Sequence, residues 1–130
     1  MMKNVAKLVV TLVITAAFAS CSQAQTPTRS ERSPEERAQM QTEIMTEALS
    51  LNEAQVPPVD DINRKYSRLM TDLQAQDGNR RSKFRAAREL MSEKDTELQA
   101  VLTEDQYAVY QEKKAEMRDK LKEKRREQRN

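Results

Sequence analysis

Five cations stand within nine positions in the stretch "RRSKFRAAR", Arg80 to Arg88, and Phe84 sits among them. At a helical advance of about 100° per residue, Arg81, Arg85 and Arg88 form one flank, and Phe84, Ala87 and Met91 form an apolar strip beside it. Positive charge is disfavoured at a helix start, where the backbone N–H groups already carry partial positive charge. Helix stability therefore does not explain the cluster. A positive flank bordering aromatic and methionine side chains suits loose capture of varied polypeptide, because charge speeds encounter and flexible Met accommodates many shapes. The plainer alternative is a solvated face paired with an acidic helix elsewhere. Arg81, Phe84, Arg85, Arg88 and Met91 are the candidate client-binding residues.

Other chemistries find little material. There is no histidine, one cysteine and one glycine among 130 residues. That removes the commonest general base, the nucleophilic triads, phosphate-cradling loops and dinucleotide fingerprints. The carboxylates alternate with bases, as solvated helix faces do, and lack calcium-loop spacing. No catalytic, cofactor-binding or metal residue is assigned, and the chain is read as a non-enzyme. Met40, Met45, Met70, Met91 and Met117 serve best as core or interface filler, with a soft-metal or client role as the lesser alternative. Tyr66, Tyr107 and Tyr110 are expected to pack with wet hydroxyls.

The first 20 residues read as an export signal: Lys3 and Lys7 precede the apolar run "LVVTLVITAAFA", which is short for a membrane span. Ala19 and Ser20 before Cys21 are similar to a lipobox, with Phe18 departing from it, which makes Cys21 the candidate lipidation site and residues 1–20 the leader. An ordinary cleavage at Ser22 and Ala24 is the alternative. Either way no disulfide framework exists in the folded part. The expected place is the periplasm or cell envelope, with membrane contact only through such an anchor.

Without Lys3 and Lys7, the 23 basic residues fall to 21 and match the 21 acidic ones. Zero net charge and export both argue against nucleic acid as a partner. The charges are nevertheless segregated. Residues 31–61 hold eight acidic and two basic side chains, whereas residues 113–130 hold nine basic and four acidic.

The elements carrying these residues are helices throughout. A composition of 34% charged residues with one glycine and four prolines leaves little for turns or sheets. Residues 21–32 form a polar tether, residues 33–126 a single helical domain, and residues 127–130 a frayed tail. Ser33, Pro34 and Glu36 make a capped start for a first helix to about Leu49, with Met40, Ile44 and Ala48 on one stripe and Met45 and Leu49 beside it. A second helix is predicted from about Pro58 to Gln76, its start broken or delayed by Pro57 and Pro58, and Gly78 supplies a left-handed stop. A third runs from Arg80 to about Val101, and a fourth from Glu104 towards Arg126 with Tyr107, Tyr110, Met117 and Leu121.

Two corners between these helices look alike. "LNEAQ" at Leu51 to Gln55 and "LTEDQ" at Leu102 to Gln106 are 51 positions apart, and each places a capping residue, Asn52 or Thr103, three before a glutamine that reaches back. Leu51 with Val56 and Leu102 with Tyr107 sit where a hydrophobic staple would clamp the incoming chain.

With this pair of motifs, the leader, the size and the helical composition, residues from about Pro34 to Lys124 resemble the Spy/CpxP-like group of exported helical proteins with LTxxQ motifs. The chain departs from that pattern in Asn52 and in the Pro57–Pro58 pair. The resemblance implies four helices in a thin, elongated arrangement that pair into an antiparallel, cradle-shaped homodimer and hold unfolded client proteins without ATP. The narrowness of the apolar stripes and the charge asymmetry favour a pair of chains independently. The same resemblance opens a second expectation, an envelope-stress regulator docking on the sensor domain of a membrane kinase. Zinc sensing is disfavoured by the lack of His and Cys ligands, and a purely structural coiled coil by the interrupted stripes.

Overall fold

The computed structural model describes residues 31–129. The expected leader, Cys21 and nearly all of the tether lie outside the described residues. Among the described residues there are four α-helices and no strand: α1 (Pro34–Leu49), α2 (Val56–Ala75), α3 (Arg80–Val101) and α4 (Glu104–Glu127).

Local chemistry sets the ends of α1. The Ser33 amide donates to Glu36 Oε2 at 2.8 Å, and the Glu36 amide donates to Ser33 Oγ at 3.1 Å, satisfying two of the unpaired donors of the first turn. At the other end Ser50 adopts the left-handed conformation (φ 51°, ψ 52°), and the Leu51 amide donates to Thr46 O at 3.1 Å. This gives Thr46 O, in the last turn, donors from beyond the end of the helix.

The prolines do not delay α2, which begins at Val56 rather than Pro58. The Asn52–Gln55 capping turn forms first, and both the Gln55 and Val56 amides donate to Asn52 O, at 3.0 and 3.2 Å. Pro57 and Pro58 then fall in the first turn, where helical N–H groups lack an intrahelical partner and the missing donors are tolerated. The far end also differs from expectation. Gln76 turns to extended backbone (φ −69°, ψ 145°) and ends the helix itself. Gly78, at φ 158°, is outside the left-handed helical well.

In α3, Asn79 caps the start by accepting from the Ser82 amide at 2.7 Å. Thr103 and Gln106 form a full capping box at the start of α4. The last helix runs one residue past its expected end.

The core gathers Met45 and Leu49 of α1, Val59, Ile62 and Tyr66 of α2, Leu98 of α3, Leu102 and Tyr110. It lies where the two corners meet, α1 packing chiefly on α2 and α2 on α3. The inward face of α1 differs from the stripe read in the sequence. Ala38, Thr42, Met45 and Leu49 are buried, while Met40 and Ile44 are left 38% and 59% exposed. A polar contact decides the rotation: Asn63, fully buried on α2, donates to Thr42 Oγ1 at 3.0 Å, and Thr42 also lies 3.0 Å from Asp60 Oδ1. In α4 only Tyr110 is buried, and every residue from Glu116 to Arg129 is exposed. Met117 and Leu121 are thus outside the core.

Candidate functional site

The two LxxxQ corners are brought face to face, and their glutamines interlock. The Gln55 amide nitrogen donates to Gln106 Oε1 at 2.7 Å, and the Gln106 amide nitrogen donates to Gln55 Oε1 at 3.0 Å. Each carbonyl oxygen also accepts from its own corner, Gln55 from the Asn52 amide at 3.1 Å and Gln106 from the Thr103 amide at 3.0 Å. Each nitrogen also donates to the last carbonyl of a helix in the opposite corner: Gln55 to Val101 O and Gln106 to Leu49 O, both at 3.2 Å. One side chain therefore caps the beginning of one helix and the end of another. Leu102 is buried beneath this clasp, while Leu51 and Tyr107 pack partly buried against the same core.

The clasp fixes the C-terminal end of α3, and side-chain contacts hold the helix along the next two turns. Tyr66 of α2 donates its hydroxyl to Glu97 Oε1 at 2.7 Å, with Lys65 on the same oxygen. Tyr110 of α4 donates to Asp95 Oδ1 at 2.9 Å, and Lys114 pairs with the same carboxylate. Buried Lys94 donates to Gln41 Oε1 of α1 at 3.0 Å. Lys65 and then Tyr66 hold the Glu97 carboxyl below its ordinary range. Burial first, and the bond to Asp95 second, push the Tyr110 phenol far above its ordinary value; burial, then the bond to Glu97, also raises that of Tyr66.

Anchored at that end, α3 carries its cations out into solvent at the other. Arg81, Phe84, Arg85 and Arg88 line one shallow, open concavity of about 380 Å³ together with Glu89 and Ser92. Phe84 is 65% exposed, the most exposed of the large apolar side chains among the described residues. Among those residues no carboxylate oxygen comes within 4 Å of Arg81, Arg85 or Arg88, so the acidic first helix does not pair with them within this chain. Met91 stands half-buried outside the lining, and Lys83 leaves the cluster to donate to Gln74 O at 3.1 Å.

Sequence reading missed Glu89 and Ser92, although both follow from extending the Arg81–Arg85–Arg88 flank by one turn. It also missed the meeting of the two corners. The repeat at 51 positions was the available signal, but a cap read locally says nothing of its far partner. Among the described residues no cluster of His, Cys, Asp and Glu could hold a metal ion, and no helix is long and apolar enough to cross a membrane.

A family model described as a domain of unknown function (DUF4890) matches residues 23–110, more than half of the chain, and the chain belongs to that family. The match spans both corners and all of α3 and stops at Tyr110, before the exposed half of α4. No curated protein and no solved structure matches the chain.

Proposed function

We propose that this chain is a non-enzymatic, ATP-independent, chaperone-like protein of the periplasm or cell envelope. It captures unfolded or aggregation-prone polypeptide on the outer end of α3. The observation that carries the reading is Phe84, 65% exposed in an open concavity among three arginines that lack carboxylate partners in the described chain. An aromatic left in water gains from covering by apolar side chains of a client. The guanidinium groups attract acidic and aromatic segments over a longer range and without fixed geometry. An open, shallow surface holds such segments weakly and releases them without a nucleotide-driven step. The protein works as an antiparallel, cradle-shaped homodimer, tethered to the membrane through acylated Cys21. Sparse burial supports the pairing: α4 buries only Tyr110, and α3 only Lys94 and Leu98.

The test is light scattering of a chemically denatured client diluted into buffer without nucleotide. Stoichiometric protein suppresses the scattering, and a variant carrying Arg81→Ser, Phe84→Ser, Arg85→Ser and Arg88→Ser, with unchanged helicity, suppresses it several-fold less. Equal suppression by the variant removes the strip from the mechanism, and no suppression by the unaltered protein removes the function.

A further inference from the structure

Two exposed surfaces outside the α3 strip match each other. On α1, Met40 and Ile44 lie one turn apart and are 38% and 59% exposed. By helical projection, Glu36, Glu43 and Glu47 fall within about 60° of Met40, and among the described residues neither Glu43 nor Glu47 forms an ion pair. Arg37 lies at the same angular limit but turns its guanidinium to Thr71 of α2, and Arg32 donates to Met40 Sδ at 3.0 Å, so the acidic part of the face is the Ile44 end, beside Glu43 and Glu47. On α4, Met117 and Leu121 are likewise one turn apart and 58% and 48% exposed. Here Lys113, Lys120 and Lys124 fall within about 60° of Met117, while Glu116, Asp119, Glu123 and Glu127 collect on a different flank. Lys113 pairs with Glu116 across the two flanks at 3.5 Å, whereas among the described residues Lys120 and Lys124 form no ion pair. The spacing is the same and the charge is opposite.

The two surfaces do not serve each other within one chain. The α1–α4 contact is slight, and α4 is exposed at every position from Glu116 onward. At about 1.5 Å per residue, the helix from Glu116 to Glu127 projects by roughly 18 Å.

We propose that the projecting half of α4 docks on the outer face of α1 in a second copy of this chain, Met117 and Leu121 against Met40 and Ile44, lysines against glutamates. Two copies exchange the contact reciprocally, which gives a closed two-fold dimer in which each chain uses both surfaces once. Apolar pairs form the centre and charges the rim, the usual arrangement of such an interface. The inference rests on the homodimer of the preceding reading and names its contact surfaces, but it does not depend on the capture strip.

The experiment is sedimentation of the purified protein over a concentration series, at low and at high salt. Unaltered protein self-associates, more weakly in high salt. The variant Glu43→Lys with Glu47→Lys makes both surfaces basic, and the variant Lys120→Glu with Lys124→Glu makes both acidic. Each variant is expected to weaken self-association at least about tenfold, and an equimolar mixture of the two is expected to associate again as a heterodimer. All substituted positions are exposed, and circular dichroism checks that helicity is retained. A second pair, Ile44→Ser and Leu121→Ser, weakens association without altering charge. The proposal is overturned by a monomer throughout the series, by association that neither reversal alters, or by a mixture that stays monomeric. It is overturned equally if the basic face binds anionic phospholipid vesicles while the protein stays monomeric. Light scattering with a client on the same variants separates the two readings: pairing lost with capture intact supports the α1–α4 contact and overturns the dimer as the capturing form, whereas capture lost with pairing intact in the α3 variant supports the strip alone.

Discussion

Replacing Gln106 by Ala should be far more damaging than loss of a half-exposed surface glutamine. The side chain takes part in four hydrogen bonds, two with Gln55, one from the Thr103 amide and one to Leu49 O. The Thr103 amide is at an exposed position, and water replaces its partner at little cost. The buried Gln55 amide loses one of two partners at each end and keeps the Asn52 amide and Val101 O, so the loss is that of two hydrogen bonds, about 1–3 kcal/mol together. With the remaining bond to the end of α1 at about 0.5–1.5 kcal/mol, the total is about 2–4 kcal/mol. For a domain of this size that lowers Tm by at least about 10 °C. The assay is urea unfolding followed by circular dichroism for Gln55→Ala, Gln106→Ala and the double variant. Because the two amides satisfy one another, the double variant should be less damaged than the sum by about 1–2 kcal/mol. Single losses below about 0.5 kcal/mol, or strict additivity, would refute the clasp as the device that joins the corners.

Further outcomes follow from the same contacts. Ser50 occupies a left-handed conformation that is unfavourable for a residue with a Cβ, so Ser50→Gly should raise stability by up to about 1 kcal/mol in the same unfolding assay. Leu98 is fully buried and Leu98→Ala should cost about 2–5 kcal/mol, whereas Phe84→Ala should stay within about 0.5 kcal/mol of the parent while reducing client capture. The Glu97 carboxyl is held below its ordinary pKa by Lys65 and Tyr66, so its stabilising contribution is present above the ordinary glutamate range and is lost as pH falls through the lowered value. The urea midpoints of the parent and of Glu97→Gln should therefore converge as the pH is taken from neutral to about 3, and a constant gap would contradict the assignment.

Helix number and three of the four helix starts were legible because capping is local chemistry. Ser33 with Glu36 and Thr103 with Gln106 announce themselves within four residues, and the structure forms both boxes. Sequence reading places the start of α2 two residues late, because a proline inside a helix removes a donor and clashes with the preceding turn. The position of Pro57 and Pro58 inside a turn already closed by Asn52 and Gln55 makes them compatible with the helix. The inward face of α1 was misread for a different reason. Met40, Ile44 and Ala48 share the period of Ala38, Thr42, Met45 and Leu49, and hydropathy alone cannot rank two stripes when the winning one includes a threonine. Its burial follows from Asn63 on α2, a long-range polar contact with no local signature. In the strip, Arg81, Phe84, Arg85 and Arg88 were readable from spacing and from the misplaced charge at a helix start, and the structure assembles these four around one concavity. Met91 was assigned by the same spacing, but its half-buried position is set by packing that projection does not include.

The most direct measurement is an amide-resolved NMR titration of the labelled protein with an unfolded client that aggregates when free. Capture on α3 predicts shift changes and broadening concentrated between Arg81 and Ser92, with the Phe84 ring protons among the most affected and the Gln55–Gln106 corner unchanged. Perturbations confined to α1, α2 or the corners, with residues 81–92 silent, would contradict it.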